Sequence, residues 1–421
     1  MFPLSKLRAW LPTLAFALGA CSDAPSTIVA PPSVASRSNG VVTEPTTGPW
    51  LRIVEGETGP GSQFGLYIPR NWNGGAVYYS HGFRDAASPV DLRDQDSLYA
   101  TRDQFGTMGY AVAYSSYSEN GFVVKDGAQR THQLRGLLTS ELGKAPTRSY
   151  LIGHSLGGGI ALSLAERYPD QYDGALLMCG MVGGSLIETQ YLGHVRALAD
   201  VFFPGRFPGN VEWVPPGTVI TLPQVVGAVQ SNPAGLFAIA SMQQTPLPGV
   251  PIGNVTDPTS PAFQTLVGSL YGALSFHARG INNIVDLVPG DSPFDNAGTT
   301  YALSANPWLP APVLAPAAAY ANASVTRYAA DVQATNYLER YFSPSGALAM
   351  PVLTIHNTWD PAVPLFHEVE LAARASAAGA AGNLLQRRVN SFGHCAIPAA
   401  TIVQGFQDLV QWEASGNKPA N

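Results

Sequence analysis

The chain has 421 residues, 46% of them hydrophobic and 12% charged, with a formal net charge of −6. That length suits one large domain with an insertion, or two ordinary domains, and the apolar content supplies a full core. Only four lysines are present and no basic run occurs, which argues against nucleic acid as a partner, because phosphate binding needs clustered Lys and Arg.

At the start of the chain, Lys6 and Arg8 precede an apolar stretch from Ala9 to Leu18. It is too short to span a bilayer as a mature helix. It ends in Leu18-Gly19-Ala20-Cys21, which resembles the lipobox of bacterial lipoproteins. That resemblance implies a signal peptide over residues 1–20, export to the cell envelope and a membrane anchor through lipid on Cys21. The plainer alternative is an ordinary signal peptide cut near Ala20. Residues 21–49 are rich in Ser, Pro, Thr and Val and read as a flexible tether.

Eight strands follow in chain order: Trp50 to Val54, Phe64 to Pro69, Ala76 to Ser80, Tyr110 to Ser115, Ser149 to Gly153, Gly174 to Met178, Pro351 to His356 and Leu385 to Ser391. The first two read as an antiparallel pair. Apolar residues at helical spacing predict helices over Asp94 to Met108, Lys125 to Leu142, Leu156 to Tyr168, Pro364 to Ala378 and Thr401 to Glu413. Alternating strand and helix predicts an α/β domain with a mostly parallel sheet covered on both faces. Its halves are residues 50–180 and 350–421. Between them, residues 181–349 are too many for a connection and too apolar for a linker. Fourteen of those 169 residues are charged. They read as a mainly helical cap inserted between the sixth and seventh strands, with helices near Leu186 to Phe203, Pro261 to His277 and Ala329 to Tyr341.

Gly153-His154-Ser155-Leu156-Gly157 matches G-x-S-x-G. The pentapeptide alone is weak evidence, but it stands between an apolar strand and an apolar helical face, the context the motif requires. Small residues at 153 and 157 keep a sharp strand–helix turn free of collisions. A serine hydroxyl needs a base and an orienting acid. His394, in Gly393-His394-Cys395 beyond the last strand, is the candidate base. His356 ends a strand ahead of the acid and is a candidate to line the site. His367 is too close to the acid in sequence to reach Ser155. His154 points away from its neighbour, and His132, His194 and His277 fall within helical patterns. Asp360 is the candidate acid, being the sole carboxylate between residues 340 and 367; a helix N-cap is its alternative role. For an oxyanion, the backbone N–H groups of Leu156, at a helix N-terminus, and Phe83, in Ser80-His81-Gly82-Phe83, are the candidate donors.

These motifs, with the chain order Ser, Asp, His, resemble the α/β-hydrolase superfamily, including bacterial esterases, lipases and prolyl-oligopeptidase-like proteins. The resemblance covers roughly residues 50–180 and 350–413. It implies the α/β-hydrolase fold and a serine hydrolase working without metal or organic cofactor. The cysteine after the histidine is similar to that of feruloyl esterase and tannase relatives, where it is bonded to a cysteine beside the nucleophile; here His154 stands at that place. Cys179 follows the sixth strand and should share a rim with Cys395, so these two form a candidate disulfide, with two separate thiols as the alternative. The low-charge cap points to a small-molecule or lipid-like carboxylic ester with an apolar group. A peptidase or amidase is the second reading, and a non-catalytic binding lipoprotein the third.

Overall fold

The computed structural model describes residues 40–93 and 96–420. The signal peptide, Cys21 and the first part of the tether lie outside the described residues. Chain order begins with β1 (Gly40–Thr43), β2 (Trp50–Glu57), β3 (Gln63–Pro69), β4 (Gly75–Ser80), α1 (Asp96–Thr107), β5 (Ala111–Ser115), α2 (Val124–Leu142), β6 (Arg148–His154), α3 (Leu156–Arg167) and β7 (Gly174–Met178). A run of helices follows: α4 (Ser185–Phe202), α5 (Leu222–Ser231), α6 (Pro233–Ser241), α7 (Pro261–Leu287), α8 (Ala311–Ser324) and α9 (Val332–Phe342). The chain then closes with β8 (Val352–Trp359), α10 (Phe366–Ala377), β9 (Leu384–Phe392) and α11 (Ala399–Ser415).

The strands form one sheet in the order β1-β2-β3-β5-β4-β6-β7-β8-β9. β1, β2 and β3 pair antiparallel, as do β3 and β5, and every later pairing is parallel. Nine strands are present among the described residues where eight were expected. The additional one, β1, falls inside the segment expected to be tether: Val41-Val42-Thr43 is a short β-branched run, suited to a strand, and it pairs with β2 from Gly40↔Gly56 to Thr43↔Ile53. Among the described residues, the sheet therefore includes residues 40–43.

Successive side chains of a strand face opposite sides of a sheet, and both sides are buried here. Ala76, Tyr78, Leu151, Ala175 and Leu177 pack with Ile160 of α3, Leu134 of α2 and Leu371 of α10. Val77, Tyr79, Ile152, Leu176 and Met178 pack with Phe105 of α1 and Phe406 and Leu409 of α11. The helical insertion has a third core of its own, with Val195 and Leu198 of α4, Leu236 and Ile239 of α6, and Leu266, Leu270 and Leu274 of α7.

Within the insertion the expected helices are displaced at their ends. α7 runs ten residues past His277. α9 starts at Val332, because Asp331 caps it by accepting the N–H groups of Gln333 and Ala334. α5, α6 and α8 were not foreseen. Register places the ends of β4, β6, β7 and β8 side by side, through Ser80↔Gly153, His154↔Met178 and Met178↔Ile355. The loops leaving these ends form one rim, where parallel α/β sheets carry their sites.

Candidate active site

Ser155 sits between β6 and α3 with φ 53° and ψ −123°, a left-handed conformation rare for a residue with a side chain. Backbone hydrogen bonds hold it there. Its N–H donates to the carbonyl of Met178 at 3.0 Å, and its carbonyl accepts from Gly158 at 2.9 Å and Met181 at 3.1 Å. The glycines around it have no room for a side chain. A Cβ at Gly153 would overlap the carbonyl of Gly157, and one at Gly157 would overlap the carbonyls of Ser80 and His81. A Cβ at Gly158 would collide with the backbone of Gly180.

Three residues singled out in the sequence are brought together. His394 Nε2 lies 2.8 Å from Ser155 Oγ, and His394 Nδ1 lies 2.9 Å and 3.0 Å from the two carboxylate oxygens of Asp360. Asp360 is fully buried and also accepts N–H bonds from Ala362 at 2.9 Å, Val363 at 3.0 Å and Cys395 at 3.3 Å. Burial by itself would push its pKa up. The charge and hydrogen bond of His394, with help from His356 and the Val363 N–H, outweigh that and hold it below the ordinary aspartate value.

Cys179 and Cys395 are joined by a disulfide with Cα atoms 5.2 Å apart. It ties the loop carrying His394 to the end of β7. Cys179 (φ 44°) and Cys395 (φ 54°) join Ser155 and Tyr117 (φ 60°) as the non-glycine residues with left-handed backbone among those described. Ser155 and the two cysteines line the rim, and Tyr117 contacts its His81 loop. Such strain persists only where surrounding structure enforces it, and it collects at functional sites.

Leu156 is the first residue of α3, so its N–H lies among the four that a helix leaves without an internal partner. Phe83 is half-buried in the loop after β4. The crowding of Gly157 against the Ser80 and His81 carbonyls sets that loop directly against the first turn of α3.

Other histidines lie behind the site. His356, a candidate to line it, is fully buried; its Nε2 donates to the Val363 carbonyl at 2.8 Å and its Nδ1 faces Glu368 at 3.3 Å. Burial would lower its pKa, but the hydrogen bond and charge of Glu368 raise it. His367 Nδ1 accepts the Gly183 N–H at 3.0 Å, and its Nε2 therefore donates to Glu188 at 2.9 Å. His154 is buried, with no partner for either ring nitrogen among the described residues; burial pushes its pKa down to about 3.

One face of α7 crosses the rim. Gly268 abuts Phe392, and Gly272 abuts Pro361. Phe276 meets the His394 ring edge-to-face at 5.4 Å. Arg279 lies over the rings of Phe276 and Phe83 and 3.8 Å from Asp85. Asn283 accepts the Phe122 N–H at 2.6 Å. These positions fall three or four apart, the spacing of one helix face. Neither Glu188, Tyr117 nor this stripe was visible in the sequence. A separate cavity of about 230 Å³ is lined by Phe122, Val124, Lys125, Ser185, Tyr337 and Tyr341, among others, and by none of Ser155, Asp360 and His394. Among the described residues, no group of three or more His, Cys, Asp or Glu side chains is placed to hold a metal ion. No helix among them is long and apolar enough to cross a membrane.

Strand order and the tight strand–serine–helix turn define an α/β-hydrolase fold. In sequence, residues 89–265 match the family model described as an esterase. The chain is 26% identical over 149 residues to the "Probable feruloyl esterase B-2" of Aspergillus flavus, a match covering 33% of this chain and 26% of that protein, so it spans about a quarter of that relative's length. In structure it is similar to feruloyl esterase B from Aspergillus oryzae (17% identity, TM-score 0.48, 90% of this chain and 81% of that one). It is also similar to Candida antarctica lipase A (13% identity, TM-score 0.46, 91% and 79%).

Proposed function

We propose that this chain is a serine hydrolase that cleaves carboxylic esters with an apolar group. The observation that carries the reading is the unbroken hydrogen-bonded chain Asp360–His394–Ser155, with its serine on a strained turn at a helix N-terminus. Similarity to an esterase family model supports the ester as the bond cleaved. In this mechanism Ser155 Oγ attacks the acyl carbon while His394 Nε2 takes its proton. Asp360 keeps the His394 Nδ1–H tautomer and stabilises the imidazolium that forms. The N–H groups of Leu156 and Phe83 hold the oxyanion. When the tetrahedral intermediate collapses, the alkoxide leaves with the proton from His394, and an acyl-enzyme remains. Water, deprotonated by the same histidine, then releases the carboxylic acid and restores Ser155.

The test is a panel of p-nitrophenyl acyl esters beside peptide p-nitroanilides, with fluorophosphonate labelling of wild type and Ser155→Ala. Ester turnover and labelling in the wild type alone are expected. Peptide anilides turned over faster than esters would favour the amidase reading, and no labelling would favour a binding protein. We also propose export with a lipid on Cys21. Metabolic labelling with a palmitate analogue should tag the wild type and not Cys21→Ser; an untagged protein in the medium would leave a simple signal peptide.

A further inference from the structure

Tyr117 has no role in the mechanism above, yet its backbone is left-handed at φ 60° and its side chain is fully buried. Local bonds enforce the conformation: its N–H donates to Ser115 Oγ at 3.0 Å and its carbonyl accepts from Ser116 Oγ at 2.8 Å. Held so, Tyr117 grips one residue twice. Its ring stacks on the His81 ring with centroids 3.8 Å apart and planes 21° apart, and its hydroxyl donates to the His81 carbonyl at 3.1 Å.

His81 in turn donates from Nδ1 to the carbonyl of Gly82 at 2.8 Å. A carbonyl only accepts, so Nδ1 carries the proton. Burial lowers the pKa of His81 to about 4, so the ring is neutral at neutral pH and the Nδ1–H bond selects its tautomer. The Gly82 carbonyl and the Phe83 N–H belong to one planar trans peptide and point in opposite directions. Anchoring the carbonyl on His81 therefore fixes the direction of the Phe83 N–H. The carbonyls of Ser80 and His81 press against Gly157, so the same loop is registered against the turn that carries the Leu156 N–H.

We propose that Tyr117 is a positioning residue for the oxyanion peptide, acting through His81. The inference rests on the ester-hydrolase reading and on Phe83 as an oxyanion donor. The Tyr117 hydroxyl, which also faces the hydroxyls of Ser80 and Thr131, bonds the backbone of the loop that must not move when charge develops on the substrate oxygen. Donors of this kind act in the transition state, so their misplacement lowers kcat rather than raising KM.

The experiment compares wild type, Tyr117→Phe and His81→Leu in the full exported chain, using p-nitrophenyl butyrate for kcat and KM. Butylboronic acid is the second probe, because its tetrahedral adduct on a serine resembles the intermediate. Tyr117→Phe keeps the stacked ring and should lower kcat about tenfold with KM little changed. His81→Leu should lower it about a hundredfold, within the ~10²–10³ range for loss of one oxyanion donor. Boronate affinity should fall in proportion to kcat/KM, which a loss of folded protein would not produce. If His81→Leu fails to fold, Tyr117→Phe decides alone. Full kcat and full boronate affinity in Tyr117→Phe would overturn the proposal, as would a kcat loss without a matching boronate loss. A wild type that neither hydrolyses the ester nor binds the boronate would instead refute the ester-hydrolase reading and this inference with it.

Discussion

The sheet rim and the helical insertion solve different problems with different materials. The rim holds its residues through backbone bonds and one covalent link: Asp360 by three N–H groups, Ser155 by its own N–H and carbonyl, Cys395 by a disulfide. The insertion holds itself through apolar side chains around a separate core and reaches the sheet half with a few: Phe276 and Arg279 on α7, and on α4 Glu188 and Tyr191, whose hydroxyl donates to the Pro361 carbonyl at 3.3 Å. Backbone bonds fix a position to fractions of an ångström, as bond-making chemistry needs. Side-chain packing from a separate core fixes shape and access. The rim should therefore set kcat, and the insertion mainly selectivity and stability.

The largest expected effects test the rim. Ser155→Ala and His394→Ala should each lower ester turnover by about 10⁴-fold or more, and Asp360→Asn by somewhat less. Circular dichroism should remain unchanged, since each change removes a hydrogen bond and leaves the backbone scaffold. Near-full activity in Asp360→Asn would mean that another carboxylate orients His394.

The disulfide comes next. It joins residues 216 positions apart and so closes a loop that contains the whole insertion. Loss of a native disulfide typically costs about 2–5 kcal/mol. Cys179→Ser with Cys395→Ser should lower the midpoint of denaturation accordingly and reduce kcat as well, because Cys395 adjoins His394 and donates its N–H to Asp360. Loss of stability with kcat intact would show that the backbone bonds alone hold the base. Two free thiols titrated in denaturant from the exported protein would remove the disulfide from the account.

A smaller effect tests the insertion. Phe276→Ala removes the ring that meets His394 edge-to-face. Aromatic pairs contribute roughly 0.5–1.5 kcal/mol, which sets the expected fall in kcat/KM at about two- to tenfold. The fall should vary with the length of the acyl chain if α7 roofs the substrate. A uniform loss across a series of p-nitrophenyl esters would place Phe276 with the rim rather than with selectivity.

The two regions also differ in what could be read in advance. Rim residues were legible because each follows a strand, and parallel strands open their carboxyl ends on one edge. Gly153, Ser155 and Gly157 announce a tight turn, and Asp360 and His394 follow the last two parallel strands. Tyr117 was not legible, since its partner His81 is 36 residues away and its left-handed backbone leaves no mark in composition. Glu188 and His367 are 179 residues apart. In the insertion, α7 and α9 were foreseen because they are amphipathic. α8 escaped because Ala311 to Ser324 is almost wholly Ala, Pro, Val and Leu, without a polar face or a charge, so helical spacing has nothing to mark. Thr221 and Asn232 cap α5 and α6, each with proline in the first turn, a start signal that reads equally as a loop of turn residues.

The smallest effect falls at the boundary, on Glu188. This α4 carboxyl is buried and takes its hydrogen bond from His367, whose Nδ1 already accepts the Gly183 N–H. His367 is thus neutral, in keeping with a pKa lowered to about 3 by burial, and offers Glu188 no positive charge. Burial first, and then the nearby charge of Asp360, raise the Glu188 pKa well above its ordinary value; His394 and His356 oppose this without cancelling it. The sign of the consequence follows. Below about pH 4.3 the carboxyl is protonated in both folded and unfolded chains. As pH rises past that point the unfolded chain sheds the proton and the folded one keeps it, so the folded state binds more protons and stability declines with pH until the raised folded pKa is passed. Glu188→Gln keeps an oxygen to accept from His367 Nε2, replaces the acid O–H by an N–H donor, and has no proton to shed. Its melting temperature should therefore gain on that of the wild type as pH rises from 5 to 8, by a few degrees at the upper end, with kcat little changed. Thermal melts of both proteins across that range measure it. A difference that stays constant with pH would mean that Glu188 is ionised when folded, drawing charge from the rim after all.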